Sequence, residues 1–211
     1  METKKLGVLL LLAGIYAAHA FTEDAMKTPD LKDTRLEGPL AVKADRLFRN
    51  RIADPLMRET IFEEARRAFV LRDDDEDNNG AKGNWRGEFW GKSMLCAARV
   101  ADYLDDAALK AWIPGECARL AETADADGYI GSYASATNCV LTGADLDRDE
   151  CNTNWNLWGR KYTIWALLEA FRVTGDAAAR ATAVAQARHF IATVDRLALR
   201  GVGLDDTGCH W

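Results

Sequence analysis

The chain predicts an all-α fold of repeated helical hairpins, and three observations carry that expectation. Apolar residues recur at helical spacing in several long segments. No alternating run is long enough to form a sheet core. The third observation is an internal repeat: ADYLDDAALKAWI, flanked by helices, returns as FRVTGDAAARATAV, with Asp106 and Asp176 70 residues apart. Helical hairpins at a fixed period stack, each burying what its neighbour exposes.

Taken in order, Met1–Ala20 places Lys4 and Lys5 before an apolar run from Leu6 to Ala18 and ends on Ala18-His19-Ala20. This is the pattern of a secretory signal peptide cut after Ala20, and the run is too short for a membrane span. No cysteine follows it to suggest a lipid anchor, so the mature chain is expected to be exported, periplasmic or extracellular, without a membrane anchor. Residues 21–35 read as a flexible leader. Leu36–Leu47, with Gly38-Pro39, reads as an extended lead-in.

The first helix is expected over Leu56–Leu71, with Ile61, Ala65, Ala68 and Phe69 inward. RDDDEDNNGAKG, Arg72 to Gly83, lacks the register of a calcium loop and reads as solvated. Asn84–Lys92 opens a helix reaching Leu104, with Met94, Leu95, Ala98 and Ala101 on its core face. Asp105-Asp106 breaks and caps, and Ala107–Ala124 returns with a bend at Pro114-Gly115. DGYIGSY, Asp127 to Tyr133, reads as a turn into a short strand-like piece, with Asp127 structural. Ala134–Thr153 is a long polar loop.

The next helix spans Leu157–Val173. One stripe holds Leu157, Lys161, Ile164, Leu168 and Phe171, and the adjacent one Trp158, Tyr162 and Trp165. Two apolar stripes predict a largely buried helix. Asn154 or Asn156 can cap it, and Gly175-Asp176 stops it and caps a partner over Ala177–Val194.

The chain has 211 residues, 48% of them apolar, enough for a sizeable core. Its net charge is −6, and removing Lys4, Lys5 and Glu2 takes away +1 to leave −7. With no basic block, general nucleic-acid binding is excluded. Seven Trp and five Tyr serve either as core fillers or as stacking platforms for sugar rings. Five cysteines leave at least one without an intramolecular partner. Their spacing fits no metal site, Cys139 and Cys151 flank a loop where a disulfide is feasible, and Cys96 and Cys117 read as helix packing.

Three groups of residues carry a resemblance. WRGEFWGK (Trp85–Lys92), DGYIGSY, and NLWGRKY (Asn156–Tyr162) followed by Thr174-Gly175-Asp176 occur in order and together resemble glycoside hydrolase family 127, the β-L-arabinofuranosidases. The likeness covers about Leu36–Trp211. It implies an (α/α)6 toroid, here incomplete, since a full ring needs about twelve helices, and an N-terminal portion, 36–211, of a retaining exo-hydrolase of plant-type glycans. The family's nucleophile is a cysteine on a zinc site of Glu and Cys ligands, with a Glu as acid/base. Those residues correspond to positions beyond Trp211, so no catalytic or metal-ligating residue and no cofactor is assigned to this chain, zinc belonging to the full-length enzyme. Cys209-His210 matches neither role.

What the resemblance carries over is a carbohydrate-binding cleft wall: Glu88, Trp90, Lys92, Tyr129, Trp155, Arg160, Lys161 and Tyr162. Glu88 and Lys92, four apart, share a helix face, either as a surface ion pair or as a polar pair for sugar hydroxyls. The alternative is a non-catalytic helical-repeat module binding a carbohydrate or a protein. A lyase or epimerase on the same scaffold is a third reading, since fold does not fix chemistry.

Overall fold

A computed structural model of the chain describes residues 29–72, 86–136 and 155–198. The expected signal peptide, the acidic loop, Trp85, Cys139, Cys151, Cys209 and His210 lie outside the described residues. From Leu31 onward the chain forms one compact unit, and of Met1–Asp30 only the last two residues are described.

The described residues are all-α. A 3₁₀ turn at Leu31–Asp33 precedes α1 (Gly38–Arg49), α2 (Pro55–Leu71), α3 (Gly87–Leu104), α4 (Ala107–Ala121), α5 (Asn156–Thr174) and α6 (Ala177–Ala198). α1 replaces the expected extended lead-in. Pro39 occupies the first turn of the helix, where a fixed φ and a missing N–H cost nothing. The end of the expected leader is held as well: the Leu36 N–H donates to Tyr103 Oη at 3.1 Å, and the Arg35 guanidinium lies over the Tyr103 ring.

Each hairpin turns on local chemistry. Between α3 and α4, Asp105 takes the left-handed conformation (φ 51°), and the Asp106 carboxylate accepts from Leu109 N at 2.9 Å. Between α5 and α6, Gly175 takes it (φ 74°), and Asp176 accepts from Ala178 N at 3.0 Å and Ala179 N at 3.3 Å. The same two-residue device recurs at the repeat distance, a helix stop followed by an N-cap.

The repeat also fixes how the hairpins stack. Glu88 accepts a hydrogen bond from Trp158, Arg172 pairs with Asp102 at 2.9 Å, and Arg99 lies 3.7 Å from Glu169. All three pairs join positions 70 apart, so α3 and α5 run parallel and in register over about 21 Å. Small residues permit the contact. A Cβ on Gly91 would lie 2.6 Å from the Tyr162 carbonyl carbon, and one on Gly159 would lie 3.4 Å from the Gly87 carbonyl carbon.

Close approach explains a correction on α5. Its buried positions are Asn156, Leu157, Gly159, Arg160, Thr163, Ala166, Leu167 and Ala170, a largely small-residue stripe. Of the bulky stripes the sequence pointed inward, Lys161, Trp165 and Leu168 are exposed. Helices this close bury small residues and push large ones to the sides. Of the two expected caps, Asn154 lies outside the described residues, and Asn156 is the first helical residue, its Nδ2 donating to Ser135 O.

The core lies between α2, α3, α4 and the inner sides of α5 and α6, around Phe62, Trp90, Met94, Ile113, Leu120 and Leu167. The inward residues expected on α2 and α3 lie there, although Phe62, which the reading missed, is wholly buried and Ile61 only partly. Cys117 is buried on α4, whereas Cys96 is exposed on α3 instead of packing against it. DGYIGSY forms no strand. It is an irregular segment, buried from Tyr129 to Tyr133 and clamped by Gln186, which donates to Gly128 O at 2.5 Å and accepts from Ile130 N at 3.1 Å.

Candidate functional site

The expected cleft residues separate into three environments. The first is a stripe along the α3–α5 seam. Trp155 meets Trp158 edge-on (ring centroids 5.8 Å), Trp158 meets Tyr162 (5.4 Å), and Tyr162 stacks on Trp165 (6.2 Å). Positions 155, 158, 162 and 165 fall on one helical stripe, which lines the rings up. Glu88 fastens α3 to this row, taking the Trp158 indole N–H on one oxygen and Lys92 on the other at 2.8 Å.

Cations lie along the rings. Lys161 Nζ is 3.4 Å from the Trp158 centroid and 4.8 Å from that of Tyr162, Lys92 is 5.0 Å from Tyr162, and Arg99 5.6 Å from Trp165. Each geometry is attractive through the ring quadrupole. Trp165 and Phe89 are 46% and 41% exposed. Beside the row, between α2 and α3, a cavity of about 320 Å³ is lined by Ile61, Glu64, Arg86, Phe89, Lys92 and Ser93. Farther along, Arg172 is held charged above its usual range by the hydrogen bonds it donates to Glu169, then by its bond to Asp102.

The second environment holds Arg160 and Tyr129, both buried and on another side of α5, since positions 158 and 160 point about 200° apart. Arg160 Nη2 meets His189 Nδ1 at 2.9 Å. A guanidinium only donates, so Nδ1 accepts and the ring proton sits on Nε2, which faces Asp127 Oδ2 at 3.4 Å. The Tyr129 ring receives two guanidiniums, Arg72 and Arg160, each 5.3 Å away. Asp127 is structural, as expected. Its carboxyl lies below the usual range, first through the Tyr129 N–H and then through His189. This cluster ties α5, α6 and the DGYIGSY segment together, with Arg160 and Tyr129 buried within it.

Trp90 is the third case and a clear correction. It has no exposure, and its indole N–H donates at 2.7 Å to Glu116, itself wholly buried. Arg66 and Arg119 complete the pairing of Glu116, and Arg119 reaches on to Glu59. A sugar has no ring face to meet here. On a helix with neighbours on several sides, Trp90 and Phe89, adjacent in sequence, go to opposite fates.

Of the eight expected residues, Glu88, Lys92, Trp155, Lys161 and Tyr162 come together, joined by Trp158 and Trp165, which the motif did not single out. The signal for Trp158 was available in its place 70 residues after Glu88. Nothing in the sequence flagged Glu116 or His189.

The zinc site that the resemblance implies is expected beyond Trp211, outside the described residues. No cluster of three or more His, Cys, Asp or Glu side chains could hold a metal among them, and burial pushes the Cys117 thiol up to about 12, a core group and not a thiolate. None of the three comparisons with known proteins, against family models, curated proteins and solved structures, gives a match to this chain.

Proposed function

We propose that this chain supplies the saccharide-gripping wall of an exported glycoside hydrolase resembling the retaining β-L-arabinofuranosidases, acting on terminal sugars of plant-type glycans. The observation that carries this reading is the ring row Trp155–Trp158–Tyr162–Trp165 with Glu88 and Lys92 beside it. Aromatic faces pack the C–H side of a sugar ring, and a fixed carboxylate and ammonium next to them suit hydroxyls, which donate and accept. The parallel, in-register pairing of α3 and α5 supports an arc of hairpins of the (α/α)6 kind. The export motif at Met1–Ala20 supports an encounter with extracellular glycans.

In this reading Glu88 and Lys92 are binding groups and Arg160 and Tyr129 brace the wall from behind. Chemistry at the glycosidic bond is assigned to no described residue.

The test is titration of the whole chain with arabinose-containing plant oligosaccharides, followed by tryptophan fluorescence and calorimetry. Saturable binding is expected. Trp165→Ala, at an exposed position, should weaken it about tenfold, the size of one lost aromatic contact. No saturable binding by any such glycan sinks the proposal. Binding without sugar release is what either reading expects of this chain; release of sugar from a chromogenic β-L-arabinofuranoside by the full-length protein favours the enzyme, and binding without release there favours the helical-repeat module.

A further inference from the structure

We infer that the glycan gripped by this row is anionic, and that Lys161 reads its acidic group. The inference rests on the carbohydrate reading above and concerns which class of glycan is bound.

The carboxylates along the α3–α5 seam already have cations. Glu88 pairs with Lys92, Asp102 and Glu169 both pair with Arg172, and Arg99 lies 3.7 Å from Glu169. Lys161 differs. It is exposed, it has no ion pair among the described residues, and its ammonium rests on the faces of Trp158 and Tyr162. Among the described residues the row therefore carries one more cation than it has carboxylates to pair, in a chain whose net charge is −6.

The position of that charge matters as much as its sign. At 3.4 Å from the Trp158 centroid, Lys161 covers the ring face on which a sugar would stack. A neutral sugar has to displace the ammonium and offers it only hydroxyls. An acidic sugar offers a carboxylate or sulfate, so the ammonium exchanges a ring contact for an ion pair while the indole face receives the sugar. Lysine suits this exchange, being a compact charge on a flexible stem. A glycan bearing one acidic group per sugar thus satisfies both elements of the row, and a neutral arabinan satisfies one.

Three tetrasaccharides test this against the whole chain by calorimetry: a tetragalacturonate, a sulfated galactan tetramer and a neutral arabinotetraose. The expected result is at least about tenfold tighter binding of an acidic tetramer than of the neutral one near 0.1 M salt, shrinking toward parity near 1 M as screening shortens the reach of the charge. Lys161→Ala should remove the preference, and Lys161→Arg, which keeps the charge, should retain it. The two acidic arms tell whether the recognised group is carboxylate or sulfate. Equal binding of all three tetramers overturns the inference and leaves the carbohydrate reading standing, as does a preference that survives Lys161→Ala. Binding of none removes both. Lys161 is exposed, so a helical signal unchanged in the variants separates lost recognition from lost folding.

Discussion

Glu116 has no exposure to solvent, yet it receives the indole N–H of Trp90 and the guanidinium groups of Arg66 and Arg119. Deleting one partner of a buried charged cluster leaves the others uncompensated. Glu116→Ala is therefore expected to destabilise the fold by about 3 kcal/mol in urea unfolding. Glu116→Gln, which keeps an acceptor for Trp90, should cost less. A loss below about 0.5 kcal/mol for the alanine variant would mean the cluster contributes nothing net. None of this was legible beforehand. Glu116 follows Pro114-Gly115 in a segment read for its bend, and two of the three partners that make its burial tolerable, Arg66 and Trp90, come from α2 and α3, far away in sequence. Trp90 was misread for the same reason: its composition suits a sugar platform, and only the packing of α2 and α4 against α3 decides that it faces inward.

Among the elements, the helices punctuated by strong local signals were legible. Asp106 starts α4, and Gly175-Asp176 separates α5 from α6, because each signal acts on backbone groups within one turn. α1 was missed because Gly38-Pro39 serves equally as a break and as a first turn. The buried side of α5 was misjudged because hydrophobicity marks large residues, whereas a close helix crossing selects small ones. That crossing makes two identical substitutions opposite in effect. Gly115→Ala on α4 meets nothing within 4 Å and should stabilise by about 0.5–1 kcal/mol through helix propensity. Gly91→Ala gains the same propensity but drives a methyl into the Tyr162 backbone, 2.6 Å away, and should destabilise by about 1–3 kcal/mol. Thermal melts of the two variants check this; equal shifts would mean that α3 and α5 do not meet as described.

At the scale of the whole molecule, two carboxylates tie separate parts together and set an acid limb. Glu59, accepting from Trp112 and paired with Arg119, and Asp127, accepting from the Tyr129 N–H and facing His189, both lie below their ordinary values near 4.5 and 3.8. Each binds its proton more weakly folded than unfolded. Their contribution is complete above the ordinary value and disappears as pH falls through the lowered one. Glu59→Gln and Asp127→Asn should therefore reduce stability near pH 7 and converge on the parent chain as the pH falls below the lowered values, by urea midpoints across pH. A difference that persists in acid would assign the loss to packing instead.

The pairing of positions 70 apart has a consequence for how such a chain can lengthen. A duplicated hairpin docks against its parent through the residues it shares with it, so every side chain on that seam first meets its own twin. Leucine tolerates a twin; aspartate and arginine do not. Arg99 opposite Glu169 and Asp102 opposite Arg172 meet that demand with opposite signs, and an added copy would have to meet it too before it could join the row.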